Sequence, residues 1–167
     1  DLIGLYANEK LGWSTSQASF LGGLIGGIAY AGPLFGGVIS DRIGRNIALL
    51  AGALALFVSY VSLSVGAPLF LMAMCLAIGN GLYKPSVTAA CGSLSEPSQR
   101  QTSFYNFYIA TNVGALAAPV IGEIVRLYVG WSLTFGISAA CVGITTLIAR
   151  SDVMQTALRK THESRAD

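Results

Sequence analysis

Long, nearly uncharged apolar runs restrict the fold of this chain more than any other feature. A bilayer core is about 30 Å thick, so a spanning helix needs about 20 mostly apolar residues. The sequence predicts five such spans, over about Thr15 to Ser40, Asn46 to Val65, Pro68 to Cys91, Phe104 to Leu127 and Trp131 to Ala149. Within hydrocarbon the backbone polar groups must be satisfied internally, and for runs of this length that means α-helices. Hydrophobic residues make up 53% of the chain and charged residues only 11%, which places it outside the range of ordinary soluble domains. The expected fold class is an all-α membrane protein.

The ends of the chain complete the plan. Residues 2–8 read as the closing turns of a helix cut at its start, which makes a six-helix bundle over residues 1–150. The chain opens on Asp1-Leu2-Ile3 with no initiator methionine and no signal peptide, so the expectation is a fragment whose start lies upstream. Residues 151–167 are polar and carry the single histidine, His162, and they read as a solvated linker leading to a missing half. Arg42, Arg45, Arg100, Arg150, Arg159, Lys160 and Arg165 fall on one side if the spans alternate, against Lys10 and Arg126 on the other. Basic residues are retained inside, so the tail is expected to be cytoplasmic and the protein multi-pass in a plasma or inner membrane.

Several function classes fall away. A net charge of +2 with no basic stripe excludes a nucleic-acid partner. Cys75, Cys91 and Cys141 are odd in number and far apart, so neither a disulfide framework nor a metal site is expected. No catalytic triad, histidine cluster or phosphate-cradling loop is present, and neither an enzyme nor a cofactor is expected.

Several features within the spans stand out. The first span holds Gly22, Gly23, Gly26, Gly27, Gly32, Gly36 and Gly37. Spacings such as Gly22/Gly26 and Gly23/Gly27 are expected to form a close helix–helix contact, since small residues let backbones approach in lipid. The third span contains Gly79-Asn80-Gly81-Leu82-Tyr83-Lys84-Pro85-Ser86. A lysine inside a span costs roughly 2.5–3.5 kcal/mol on insertion scales, so it is expected to face a cavity or a partner, with snorkelling to the helix end as the alternative. Pro85 removes a backbone donor and is expected to kink the helix toward that cavity. Glu123 and Arg126 read as an i, i+3 interfacial pair.

Gly37-Val-Ile-Ser-Asp41-Arg42-Ile-Gly44-Arg45 resembles the G-x-x-x-D-R-x-G-R loop of the major facilitator superfamily. The resemblance implies that Gly37, Asp41, Arg42, Gly44 and Arg45 form a cytoplasmic charge latch for one access state, ordinary solvated loop charges being the alternative. A narrower resemblance follows from three segments in order. Tyr30-Ala-Gly-Pro33-Leu-Phe-Gly36-Gly37, then Gly79-Asn-Gly81-Leu-Tyr-Lys84-Pro85, then Phe107-Tyr108-Ile-Ala-Thr111-Asn112-Val-Gly114-Ala115-Leu116 are similar to motifs of the proton-dependent oligopeptide transporter family. The chain departs from that family in a shorter Asp41-to-Gly44 loop, in Thr111, and in lacking the first-helix E-x-x-E-R signature.

The resemblance implies that Tyr30, Lys84 and Asn112 line a substrate cavity. A zwitterionic peptide needs a cation for its carboxylate and amide or phenol groups for its backbone. Packing for Tyr30 and an interhelical hydrogen bond for Asn112 are the alternatives. The implied function is proton-coupled symport of di- and tripeptides by alternating access, powered by the proton gradient. The bilayer and a C-terminal six-helix half would be its partners. A drug/proton antiporter of the same superfamily, or a non-transporting membrane scaffold, are the other readings.

Overall fold

A computed structural model of the chain describes residues 2–151 and 155–156. The expectations for Arg159, Lys160, His162 and Arg165 lie outside the described residues. Among the described residues the elements are α1 (Leu2–Leu11), α2 (Thr15–Ile43), α3 (Arg45–Ser64), α4 (Leu69–Leu94), α5 (Arg100–Val129) and α6 (Trp131–Arg150). The protein is an all-α membrane protein built as a helix bundle.

Helix boundaries follow local chemistry. Ser14 caps α2 by accepting from the Gln17 amide, and the Gln17 side chain reaches back to the Ser14 amide. That reciprocal pair satisfies two amides that the first turn leaves without helical partners. Gly44, at φ +93°, and Gly130, at φ +89°, close the α2–α3 and α5–α6 turns in a conformation that side chains with a Cβ rarely adopt. Four helices, α2, α3, α5 and α6, are long and apolar enough to cross a membrane. The fifth expected span, α4, has 26 residues but is not among them; polar residues from Asn80 to Ser86 interrupt its apolar run.

The core centres on α3, which packs against α4 and α6. Leu56, Leu63, Met72, Leu76, Trp131 and Phe135 form its main buried cluster, with Tyr6 of α1 edge-on to both Trp131 and Phe135. Polar bonds join the helices where lipid provides no hydrophobic drive. The Ser59 hydroxyl donates to the Met72 carbonyl at 3.0 Å, and Ser64 and Ser132 each donate to the other's carbonyl. Ser40 of α2 and Ser86 of α4 share a buried hydrogen bond of 3.1 Å.

Helices α2 and α4 approach closely through their backbones, but not where the glycine spacing pointed. A Cβ built on Gly36 would overlap the Gly81 carbonyl, and one on Gly32 would lie 3.3 Å from the Gly81 Cα. Gly23, Gly26 and Gly27 face open space. The reason is rotational: at about 100° per residue, Gly27 lies on the opposite side of α2 from Gly36, nine positions away. Helix α5 has no buried residue and lies at the margin of the bundle.

Candidate functional site

Tyr30 lies near the middle of the 29-residue α2, and Lys84 near the middle of α4. The structure brings the two together. The Lys84 Nζ is 5.6 Å from the centre of the Tyr30 ring and donates to the Ala29 carbonyl at 3.4 Å. Lys84 therefore reaches sideways to the neighbouring helix at mid-depth instead of running along α4 to its end. The ring face supplies the ammonium with a weak electrostatic partner and the carbonyl supplies an acceptor. Both side chains remain exposed on the face of the bundle that α2 and α4 share, with Tyr30 at 84%.

Two prolines shape this crossing. In a helix the amide of residue i donates to the carbonyl of residue i−4, so Pro33 leaves the Ala29 carbonyl without its helical donor and Pro85 does the same to Gly81. Each freed carbonyl points into the α2–α4 contact: Ala29 receives Lys84, and Gly81 faces Gly36.

Asn112 is on α5, exposed, with its amide donated to the Tyr108 carbonyl of its own helix at 2.7 Å. Among the described residues no hydrogen bond joins it to Tyr30 or Lys84. At the end of α2, the Arg45 Nη2 donates to the Asp41 Oδ1 at 3.2 Å, with the Asp41 side chain 68% exposed. A surface pair of this kind, bridging the turn between two helices, contributes about 0–1 kcal/mol. Arg42 is exposed, Gly37 faces open space, and Gly44 makes the turn between the two charged residues.

One polar cluster extends what the sequence indicated. Arg126 pairs with Glu123 as its spacing predicts, at 2.6 Å, and it also takes Glu9 of α1 at 2.9 Å. The Trp131 indole donates to the same Glu9 carboxylate at 3.1 Å, and its ring lies 5.2 Å from the guanidinium. The i, i+3 pair was readable from sequence, but Glu9 is 117 positions away and no local pattern links it to Arg126. Beside this cluster, a groove of about 1320 Å³ runs between α1, α2, α5 and α6, lined by residues such as Gly22, Ala118, Glu123 and Ser138. Tyr30, Lys84 and Asn112 are not among the residues lining it.

The family profile described as Major Facilitator Superfamily matches residues 2–163. A peptide transporter of Yersinia enterocolitica subsp. palearctica is 29% identical over 149 residues, covering 84% of this chain and 29% of that protein. A di-/tripeptide transporter of Lactococcus lactis subsp. cremoris is 29% identical over 136 residues, covering 75% of this chain and 27% of that one. The chain thus spans less than a third of the length of these relatives. The crystal structure of a peptide transporter POT in complex with sulfate superposes with a TM-score of 0.82 at 24% identity. That alignment covers 89% of this chain and 32% of the other, and it establishes a shared fold.

Proposed function

The chain belongs to the major facilitator superfamily, and from that premise we propose that it forms most of the N-terminal half of a proton-coupled symporter of di- and tripeptides. The observation that carries the reading is the Lys84–Tyr30 pair, an ammonium held at mid-depth on an open face between two spanning helices. A cation in that position matches the carboxylate of a zwitterionic peptide, and the phenol matches its backbone. The relatives in Yersinia and Lactococcus support the substrate class.

In this reading a C-terminal six-helix half closes the cavity from the other side and residues 151–167 lead toward it. Substrate binds between the halves, which rock about it under the proton gradient with no cofactor. Asn112, on the marginal α5, turns toward the peptide when that half is in place. Gly37, Asp41, Arg42, Gly44 and Arg45 latch one access state at the helix ends. Those ends carry Arg42, Arg45, Arg100 and Arg150, so they face the cytoplasm and the tail with them.

Ligand-dependent stability tests the substrate class. A ligand that binds only the folded state adds about 2.7 kcal/mol at a hundred times its Kd. The full-length protein in detergent is expected to melt several degrees higher in saturating dialanine than without it, and free alanine is expected to leave the transition in place. No shift with any member of a broad panel of di- and tripeptides would count against a peptide site.

A further inference from the structure

Proline inside a spanning helix leaves a carbonyl without its helical donor, and another donor can take that place. In α2 that carbonyl belongs to Ala29, and the donor is the Lys84 ammonium at 3.4 Å. The two facts are connected by chain arithmetic alone. Were residue 33 any amino acid with a backbone N–H, the Ala29 carbonyl would have a helical donor within its own turn, and Lys84 would share the acceptor with it.

We propose that Pro33 is a positioning residue for Lys84: by removing the helical N–H that would share the Ala29 carbonyl, it leaves both lone pairs of that acceptor to the ammonium and strengthens its hold at mid-depth beside the Tyr30 ring. The inference rests on the transport reading for its functional consequence, but not for the interaction itself. Tyr30 alone is a weak anchor, since its ring attracts a charge without fixing where the N–H bonds point. The carbonyl supplies that direction. A single neutral acceptor leaves the ammonium two further donors, which an incoming carboxylate can take without the lysine leaving its place. Substrate thus meets a cation that is already oriented, and less ordering is required on binding.

The experiment has two arms, both on the full-length protein. In the first, labelling of Lys84 by a water-soluble amine-reactive reagent is followed by mass spectrometry in the wild type, in Pro33→Ala and in Pro33→Gly. Both substitutions return an N–H to position 33, and glycine does so while tolerating the bent backbone that proline imposes. Lys84 is expected to react at least threefold faster in both variants, because the amine is held less firmly against the Ala29 carbonyl and reaches the reagent more freely. Unchanged labelling in both would overturn the proposal, whatever the protein transports.

The second arm measures dialanine uptake. Pro33→Ala is expected to raise KM about threefold to tenfold with little change in the maximal rate, and to have no further effect in a Lys84→Gln background. A residue acting through another shows this coupling, whereas a purely structural loss appears equally in both backgrounds. An equal loss with and without Lys84 would reject the positioning role. Faster labelling in a protein that takes up no peptide would retain the Pro33–Lys84 link and reject the substrate instead.

Discussion

Replacing Lys84 by glutamine in the full-length protein is expected to lower proton-driven uptake of a dipeptide by about tenfold or more at subsaturating substrate. Glutamine keeps much of the length and a hydrogen-bond donor but removes the charge. A hydrogen bond to a charged group contributes about 1.5–3 kcal/mol, and 1.4 kcal/mol is a factor of ten in an equilibrium or a rate. Folding should survive, because Lys84 is exposed on the α2–α4 face and its described contacts are one long hydrogen bond and a ring face. Losing the lysine also removes an ion that is expensive to place inside a membrane. The variant is therefore expected to melt no lower than the wild type while its transport collapses. Undiminished uptake by Lys84→Gln would remove the lysine from the mechanism.

The second large effect is on stability and falls at Gly36. A side chain there meets the Gly81 carbonyl, which is backbone and cannot rotate away as the end of a flexible side chain would. Gly36→Leu must therefore separate α2 from α4, and the buried Ser40–Ser86 bond one turn further on would be stretched with it. Overpacking of a well-packed contact costs about 1–3 kcal/mol even where side chains can shift, and a backbone obstacle lies at the upper end. The expected result is little or no monodisperse protein after detergent extraction. Gly136→Ala provides the contrast: its Cβ would rest 3.5 Å from the Ser64 hydroxyl, an ordinary contact, and alanine is the better helix former. That variant is expected to behave like the wild type in the same size-exclusion assay. A well-behaved Gly36→Leu protein would show that the α2–α4 crossing is not as close as described.

The two predictions separate what the sequence could show from what it could not. The all-α membrane class was readable because an apolar run of spanning length has few other solutions, and the superfamily was readable from the Asp41–Arg45 loop. The identity of the crossing glycines was not. Seven glycines lie on α2, and which of them meets α4 depends on the rotation of one helix against another, to which Gly22/Gly26 spacing and Gly32/Gly36 spacing are equivalent. The polar residues in the middle of α4 are the same ones that make it a candidate site: Lys84 reaches α2 across an open face and Ser86 bonds Ser40 of α2.

The same division runs through the site. That Pro33 frees the Ala29 carbonyl is a matter of counting four residues, but its new donor comes from 55 positions away and appears only when α2 and α4 are packed. Tyr30 and Lys84 stand together on that crossing. Asn112 stands apart on α5, the helix that the described residues bury least, and its amide is turned to its own backbone. Glu9 was passed over because nothing near it in sequence hints at a partner, yet with Arg126 and Trp131 it joins α1 to the α5–α6 hairpin.

The central claim, that this chain belongs to a proton-driven peptide symporter, is tested most directly by uptake into proteoliposomes holding the full-length protein. Labelled dialanine would be supplied outside, with the lumen either more alkaline than the bath or at the same pH. The account predicts accumulation above the external concentration only with the inward proton gradient, and its collapse on adding a protonophore. Equal uptake with and without the gradient, or none for any short peptide, would contradict it.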